Sequence, residues 1–247
     1  MIRWVFDLGN TRLKGAPLDA GGRLGEVVAI EHGASDPMAA IARLLPPRID
    51  VAHVASVAAD DLGLALLQML AGRCTRISIA RTPRSWGDLR IAYADPSRLG
   101  VDRFLAMLAV RDLESGPALV CGVGTALTVD LVDADGRHRG GRIAPSPTLM
   151  RQALHRRAGH LPAEGGRYRE FADDTLDGLA SGCDGAALGL IERSLLLAER
   201  ELGRAPALFL HGGGAADLAS HLAHARLVST LVLDGLARWA DADLAPG

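Results

Sequence analysis

Asp7, Leu8, Gly9, Asn10, Thr11, Arg12, Leu13 and Lys14 follow directly on the apolar run Ile2-Arg3-Trp4-Val5-Phe6. A β-rich run that breaks into an acid, a glycine and small amide or hydroxyl residues is a strand entering a tight turn. The same residue types suit a polyphosphate. Gly9 allows close backbone approach, Asn10 and Thr11 offer small donors, and Lys14, the only lysine in the chain, adds a point charge. Asp7 at the strand end suits Mg²⁺ held through water, because Mg²⁺ takes one or two carboxylates and fills its shell with phosphate and water oxygens. The competing reading is a β-hairpin turn with Asp and Asn in their ordinary turn roles. Short turn patterns recur by chance, so this loop alone does not decide.

The pattern returns twice. Ala118 to Cys121, then Gly122-Val123-Gly124-Thr125 and the β-branched run from Leu127, is again a strand, a glycine turn with a threonine, and a strand. Ala207 to Leu210 ends in His211-Gly212-Gly213-Gly214. Three strand-to-glycine turns near residues 7, 122 and 212 form a set able to clamp a triphosphate and its nucleoside. Asp102 and Arg103 open the best helical pattern of the first half, Leu99 to Leu113, where Phe104, Leu105, Leu108 and Ala109 stack at helical spacing. By pattern alone Asp102 reads first as a carboxylate complementing the helix macrodipole, since acids are common in a first turn, with a base beside an acceptor site as the alternative. His221 and His224 lie three apart, yet no third ligand completes a metal set, so they read as helix-surface histidines.

The elements that must position these residues alternate. Asp19 to Gly22 is a hairpin turn with a return strand over Leu24 to Ile30. Asp36-Pro37 opens a helix to Leu45. A strand over Asp50 to Val57, a helix over Asp60 to Ala71 and a strand over Thr75 to Ala80 follow, which predicts a mostly parallel sheet flanked by helices. Residues 81 to 98 form a loop-rich edge carrying Trp86, Tyr93 and Pro96. From Pro117 the opening pattern repeats: strand, Gly122–Thr125 turn, strand to Asp133, and a tight turn at Asp135-Gly136 into a strand over Arg137 to Ile143. Ser146 caps a helix with Pro147 at its first position, and Arg151, His155, Arg156 and Arg157 make its solvated face, with an oligomer contact as the alternative. A polar loop over 159 to 174 precedes Thr175. Ala186 to Leu202 is a Leu-rich helix in which Gly185 and Gly189 permit close packing. The halves divide as 1–114 and 115–247.

Composition bounds the function. The 247 residues are 49% hydrophobic, ample for a core, but only 4% aromatic, so Ala, Leu and Val do the packing. A formal charge of −2 argues against non-specific nucleic-acid binding, which needs a strongly basic face. Asp7 interrupts any leader-like apolar run. Leu62 to Gly72, an uncharged apolar stretch, falls far short of the ~20 residues that span a bilayer. Three cysteines without metal spacing fit a reduced compartment. The chain reads as soluble and cytoplasmic.

Taken as an ordered series, the motifs resemble the type III pantothenate kinases of the actin-like ATPase and sugar-kinase superfamily. The series is Asp7 to Lys14, Tyr93 through Pro96 to Gly100-Val101-Asp102-Arg103, Gly124-Thr125-Ala126, Gly140 to Pro145, Asp174-Thr175 with Ser181-Gly182, Gly212-Gly213, and Leu231 to Leu236. The resemblance implies two duplicated ribonuclease-H-like domains with mixed sheets flanked by helices. It implies ATP-dependent phosphorylation of pantothenate, the first step of coenzyme A synthesis, with Mg²⁺. By that resemblance Asp102 is the catalytic carboxylate, and residues 7 to 14 with Thr125 hold ATP. Tyr93, Gly100, Val101, Asp102, Arg103 and Thr175 hold the acceptor, and the enzyme is a homodimer. Some relatives have been described as accessory factors for gene expression, so a nucleotide-binding regulator is the alternative. One departure bears on cofactors. The family's second loop carries an aspartate that ligates K⁺ or NH₄⁺, and here that position is Gly122, so monovalent-cation activation is expected to be weak or absent.

Overall fold

The computed structural model describes residues 1–33 and 36–243. They form two compact units: Met1–Leu113 joined by the chain from Thr230, and Glu114–Ser229. The first unit carries β1 (Arg3–Leu8), β2 (Arg12–Leu18), β3 (Val28–Glu31), α1 (Pro37–Leu44), β4 (Ile49–Ser56), α2 (Asp60–Ala71) and β5 (Cys74–Ile79). A two-stranded ribbon, β6 (Ser85–Trp86) and β7 (Leu89–Arg90), leads to α3 (Val101–Leu113). The second unit carries β8 (Ala118–Val123), β9 (Ala126–Val132), β10 (His138–Pro145), α4 (Pro147–Arg157), α5 (Thr175–Leu202), β11 (Ala207–His211), α6 (Ala215–Ala219) and β12 (Arg226–Leu227).

The two sheets share one topology. The first runs β3-β2-β1-β4-β5 and the second β10-β9-β8-β11-β12. In each, two short turns make the first three strands antiparallel, and the next two strands add in parallel. The sheets are therefore mixed, not mostly parallel. Short turns permit only antiparallel pairing, whereas a parallel strand needs a helical crossover, here α1 in the first unit and α4 with α5 in the second. Each sheet buries its central strands. Trp4, Phe6, Leu8, Leu13 and Val54 pack with Ile41, Leu66 and Leu70 from α1 and α2. Leu119, Cys121, Val123, Leu127 and Val129 pack with Leu188, Ile191 and Leu218 in the second unit.

Two helices differ from the sequence pattern. α5 begins at Thr175, well before Ala186, because Asp174 caps it: its side chain accepts from the Asp177 N–H at 2.9 Å. Gly178, Gly182, Gly185 and Gly189 disguise the segment, since each glycine disfavours helix by roughly 1 kcal/mol. A Cβ on Gly189 would meet nothing within 4 Å, so this glycine is not a close-packing device among the described residues. Nor is the α4 basic face simply solvated. Arg151 donates to the Gly165 carbonyl at 2.7 Å and the His155 ring bonds the Leu161 carbonyl at 2.6 Å, tying α4 to the loop before α5.

α7 (Leu231–Asp243) belongs to the first unit, not to a continuous second half ending at 247. It crosses α3 so closely that a Cβ on Gly235 would lie 2.0 Å from the Leu105 carbonyl oxygen. Arg238 donates to the Leu108 carbonyl at 2.6 Å and pairs with Asp112 at 3.1 Å, both on α3. Overpacking a tight contact costs about 1–3 kcal/mol. Gly235→Ala, which must push backbone away, falls at the upper end, and thermal unfolding should show a clear loss of midpoint. An unchanged midpoint would mean that α7 does not pack on α3 this closely.

Candidate active site

In the first unit the loop between β1 and β2 is a hairpin with Asp7 and Lys14 directly opposite each other. The Gly9 N–H donates to the Arg12 carbonyl at 3.0 Å, closing the turn. Asp7 is half-buried. Burial is the largest influence on its carboxyl and raises it to about 7; Lys14 pulls it down and the Asp102 charge pushes it up. That last influence brings Asp102 into the same electrostatic neighbourhood. The link is structural as well. The Val57 N–H donates to the Leu8 carbonyl at 3.1 Å, and a Cβ on Gly100 would lie 3.8 Å from the Val57 side chain.

Asp102 sits in the first turn of α3, where its Oδ1 accepts from the Arg103 N–H at 2.8 Å. It is half-buried. Gly100 has a specific reason to be glycine, because a Cβ there would stand 2.6 Å from that same Oδ1. Any side chain at 100 would displace the carboxylate from its place. Arg103 is only 6% exposed; its Nη1 donates to the Tyr93 hydroxyl at 3.3 Å and its guanidinium lies 6.0 Å from the Tyr93 ring centre. The loop-rich edge is anchored here too, with Thr82 Oγ1 donating to the Leu99 carbonyl at 2.9 Å. The first unit thus gathers Asp7, Lys14, Gly100, Val101, Asp102, Arg103 and Tyr93. Thr175, the first residue of α5, and Thr125 belong to the second unit.

In the second unit the parallel neighbours β8 and β11 end together in glycine turns, the edge of an α/β sheet where ligands bind. Ser146 Oγ donates to the Thr125 carbonyl at 2.9 Å, and the Gly214 N–H donates to the Val123 carbonyl at 3.0 Å, so both turns are tied to the sheet. Gly122 lies within β8 rather than in the turn, opposite Thr128 on one side and His211 on the other. A Cβ there would be 2.8 Å from Thr128 Oγ1 and 3.0 Å from His211 Nε2.

That crowding answers whether a monovalent cation fits. The position carries no carboxylate, and the space a side chain would take is filled by Thr128 and His211. Nor do the neighbouring acids substitute. The His138 ring donates to Asp130 Oδ1 at 3.0 Å in a buried pair, and Asp133 accepts from the N–H groups of Asp135 and Arg137 at 3.1 and 2.8 Å. Residue 122 therefore offers no side-chain ligand to a monovalent cation. For Mg²⁺ the test comes out the other way. A carboxyl raised to about 7 beside a second carboxylate is a place where added positive charge is favoured, and one or two carboxylates suffice for Mg²⁺ bound with phosphate.

Two residues in these loops escaped the sequence reading. His211 stands immediately before three glycines and signals nothing by type. His32 lies just past β3, remote in sequence from the loop whose Gly9 carbonyl its ring touches at 2.8 Å.

A mixed five-stranded sheet present twice, with glycine-bearing turns at the strand ends, defines the fold of the actin-like ATPases and sugar kinases. A Campylobacter jejuni protein assigned to the Baf family of transcriptional activators superposes with a TM-score of 0.64 at 17% identity, covering 97% of this chain and 98% of that one. A Sinorhizobium meliloti protein assigned as a 2-dehydro-3-deoxygalactonokinase gives 0.60 at 17%, covering 99% and 100%. An archaeal actin homologue gives 0.55 at 13%, covering 98% and 100%. At such identities the likeness concerns the fold alone. In sequence, the profile of the type III pantothenate kinases matches residues 4–196. Type III pantothenate kinases of Xanthomonas campestris pv. campestris (strain B100) and Xanthomonas oryzae pv. oryzae (strain PXO99A) are each 55% identical over 246 residues, covering all of both chains. The chain belongs to the type III pantothenate kinase family.

Proposed function

We propose that the chain uses Mg²⁺ and ATP to phosphorylate the 4′-hydroxyl of pantothenate, the first step of coenzyme A synthesis, with Asp102 as the base. One observation carries the assignment of roles. In one unit, a carboxylate opposite a lysine on a turn (Asp7, Lys14) lies near a second carboxylate at a helix start (Asp102). Phosphoryl transfer asks little covalent chemistry of a protein; positioning and charge supply most of the rate. The acceptor alcohol gives its proton to Asp102 as its oxygen bonds the γ-phosphorus, and the bond to the β,γ-bridging oxygen breaks to release ADP. Mg²⁺, when bound, neutralises charge on the phosphates. Asp7 would hold it, and residues 8 to 14 would supply donors to ATP. Arg103, steadied by Tyr93, meets the pantothenate carboxylate, with Gly100 and Val101 beside it.

No helix of the described residues is long and apolar enough to cross a membrane. The working form in this reading is a cytoplasmic homodimer. A coupled ADP-release assay tests the function: ADP should appear only when pantothenate is present. Release that ignores pantothenate, or none, would favour a nucleotide-binding regulator instead. The same assay tests the cation. With Thr128 and His211 filling the space beside Gly122, activity in a Tris buffer free of potassium and ammonium should not rise when either ion is added. A strong rise would show that groups other than residue 122 hold the ion.

A further inference from the structure

His32 grips the nucleotide loop from behind. Its ring Nε2–H donates to the Gly9 carbonyl at 2.8 Å, and its backbone N–H donates to the Thr11 carbonyl at 2.9 Å. A carbonyl only accepts, so Nε2 carries the proton. The other ring nitrogen, Nδ1, is buried with no partner among the described residues. The one hydrogen bond described for this ring therefore goes to the loop. Beside it, Arg12 pairs with Glu31 at 2.7 Å on the same β2–β3 edge. That pair is exposed, with side chains 45% and 66% accessible, and such pairs contribute little. His32 is the stronger brace.

The brace has a directional consequence. Peptide units are planar and trans, and none of the described ones is cis. Where a carbonyl points one way, the N–H of the next residue points the other. Two carbonyls held toward His32, those of Gly9 and Thr11, turn the N–H groups of Asn10 and Arg12 to the opposite face of the loop. Backbone N–H groups turned to one side of a loop favour an anion there. We infer that His32 is a positioning residue for ATP: it holds the Gly9 and Thr11 carbonyls so that the N–H groups of Asn10 and Arg12 face the phosphates, without touching the nucleotide. The inference rests on the reading of this loop as the ATP-phosphate loop.

Calorimetric titration of the full chain with Mg·ATP and, separately, with pantothenate tests it, using His32→Ala, His32→Asn and His32→Gln. Glutamine places an amide N–H where Nε2 lies and can reach the Gly9 carbonyl; asparagine is one methylene too short. A single intramolecular hydrogen bond of this kind corresponds to a Kd change of about three- to tenfold. Mg·ATP affinity should fall by that factor in the Ala and Asn variants and return in the Gln variant, with pantothenate affinity unchanged in all three. Unchanged Mg·ATP affinity in the Ala and Asn variants would overturn the inference. So would a Gln variant as weak as Ala, or a parallel loss for both ligands, either of which marks a general fold role. Wild-type protein that binds Mg·ATP but transfers nothing to pantothenate would count against the kinase reading and leave His32's role standing.

Discussion

Asp102→Asn should lower pantothenate turnover by roughly 10²–10⁴-fold, the usual loss when a general base is removed, while leaving the fold intact. The variant is conservative at this site for a specific reason. The Asp102 Oδ1 accepts from the Arg103 N–H at 2.8 Å, and the amide oxygen of asparagine accepts the same bond, so the start of α3 keeps its contact. Gly100, whose missing Cβ leaves 2.6 Å to that oxygen, accommodates the isostere equally. What asparagine cannot do is take the proton of the attacking alcohol. It also removes a negative charge that raises the Asp7 carboxyl. A second, independent readout follows: the Asp7 titration, about 7 in the parent chain, should move to lower pH in the variant. NMR titration of the Asp7 carboxyl in both proteins would detect it. Near-wild-type turnover in well-folded Asp102→Asn would remove Asp102 from the chemistry and leave it as a helix-start carboxylate.

The sequence carried a large share of this, and the reasons for its limits are physical. Turns and caps are local, so Asp36-Pro37, the Asp60–Ala71 helix and the Ser146-Pro147 start could be read from residue type and reappear almost residue for residue. The strand-to-glycine repeats gave the duplication because short turns force antiparallel pairing wherever they occur. What was not legible came from long-range approach. Nothing local announces that Gly235 lets α7 cross Leu105, and a division of the chain by pattern alone therefore leaves α7 in the wrong unit. Glycines in α5 hid its first turns, since propensity opposed a helix that the Asp174 cap establishes. Gly122 could be seen as a missing carboxylate; that His211 and Thr128 fill its space needed the register of three strands. His32 reaches Gly9 across more than twenty residues, a contact no short motif encodes.

Asp7→Asn should separate ATP use from acceptor binding and from stability. Losing a carboxylate that holds a metal through water costs about 10–100-fold in metal affinity or activity, so kcat/KM for Mg·ATP should fall by that factor with pantothenate affinity retained. The pH behaviour gives a sharper mark. In the native chain the Asp7 carboxyl titrates at about 7, against an ordinary value near 3.8. Between those two pH values the native protein holds a proton on Asp7 that the unfolded chain has released. The native state loses stability relative to the unfolded one as pH rises through that window. Asparagine carries no titrating proton, so the variant should lack this decline and exceed the parent in stability at pH 8, while working worse. Thermal midpoints of both proteins from pH 4 to pH 8 measure the difference. Mg·ATP binding should act on the same proton, since positive charge at Asp7 favours the carboxylate. Near pH 6 the parent should release a proton on binding Mg·ATP, and the variant should not, which titration calorimetry in buffers of different ionisation enthalpy reads directly. Equal proton release from both proteins would place the linked group elsewhere and take Asp7 off the metal.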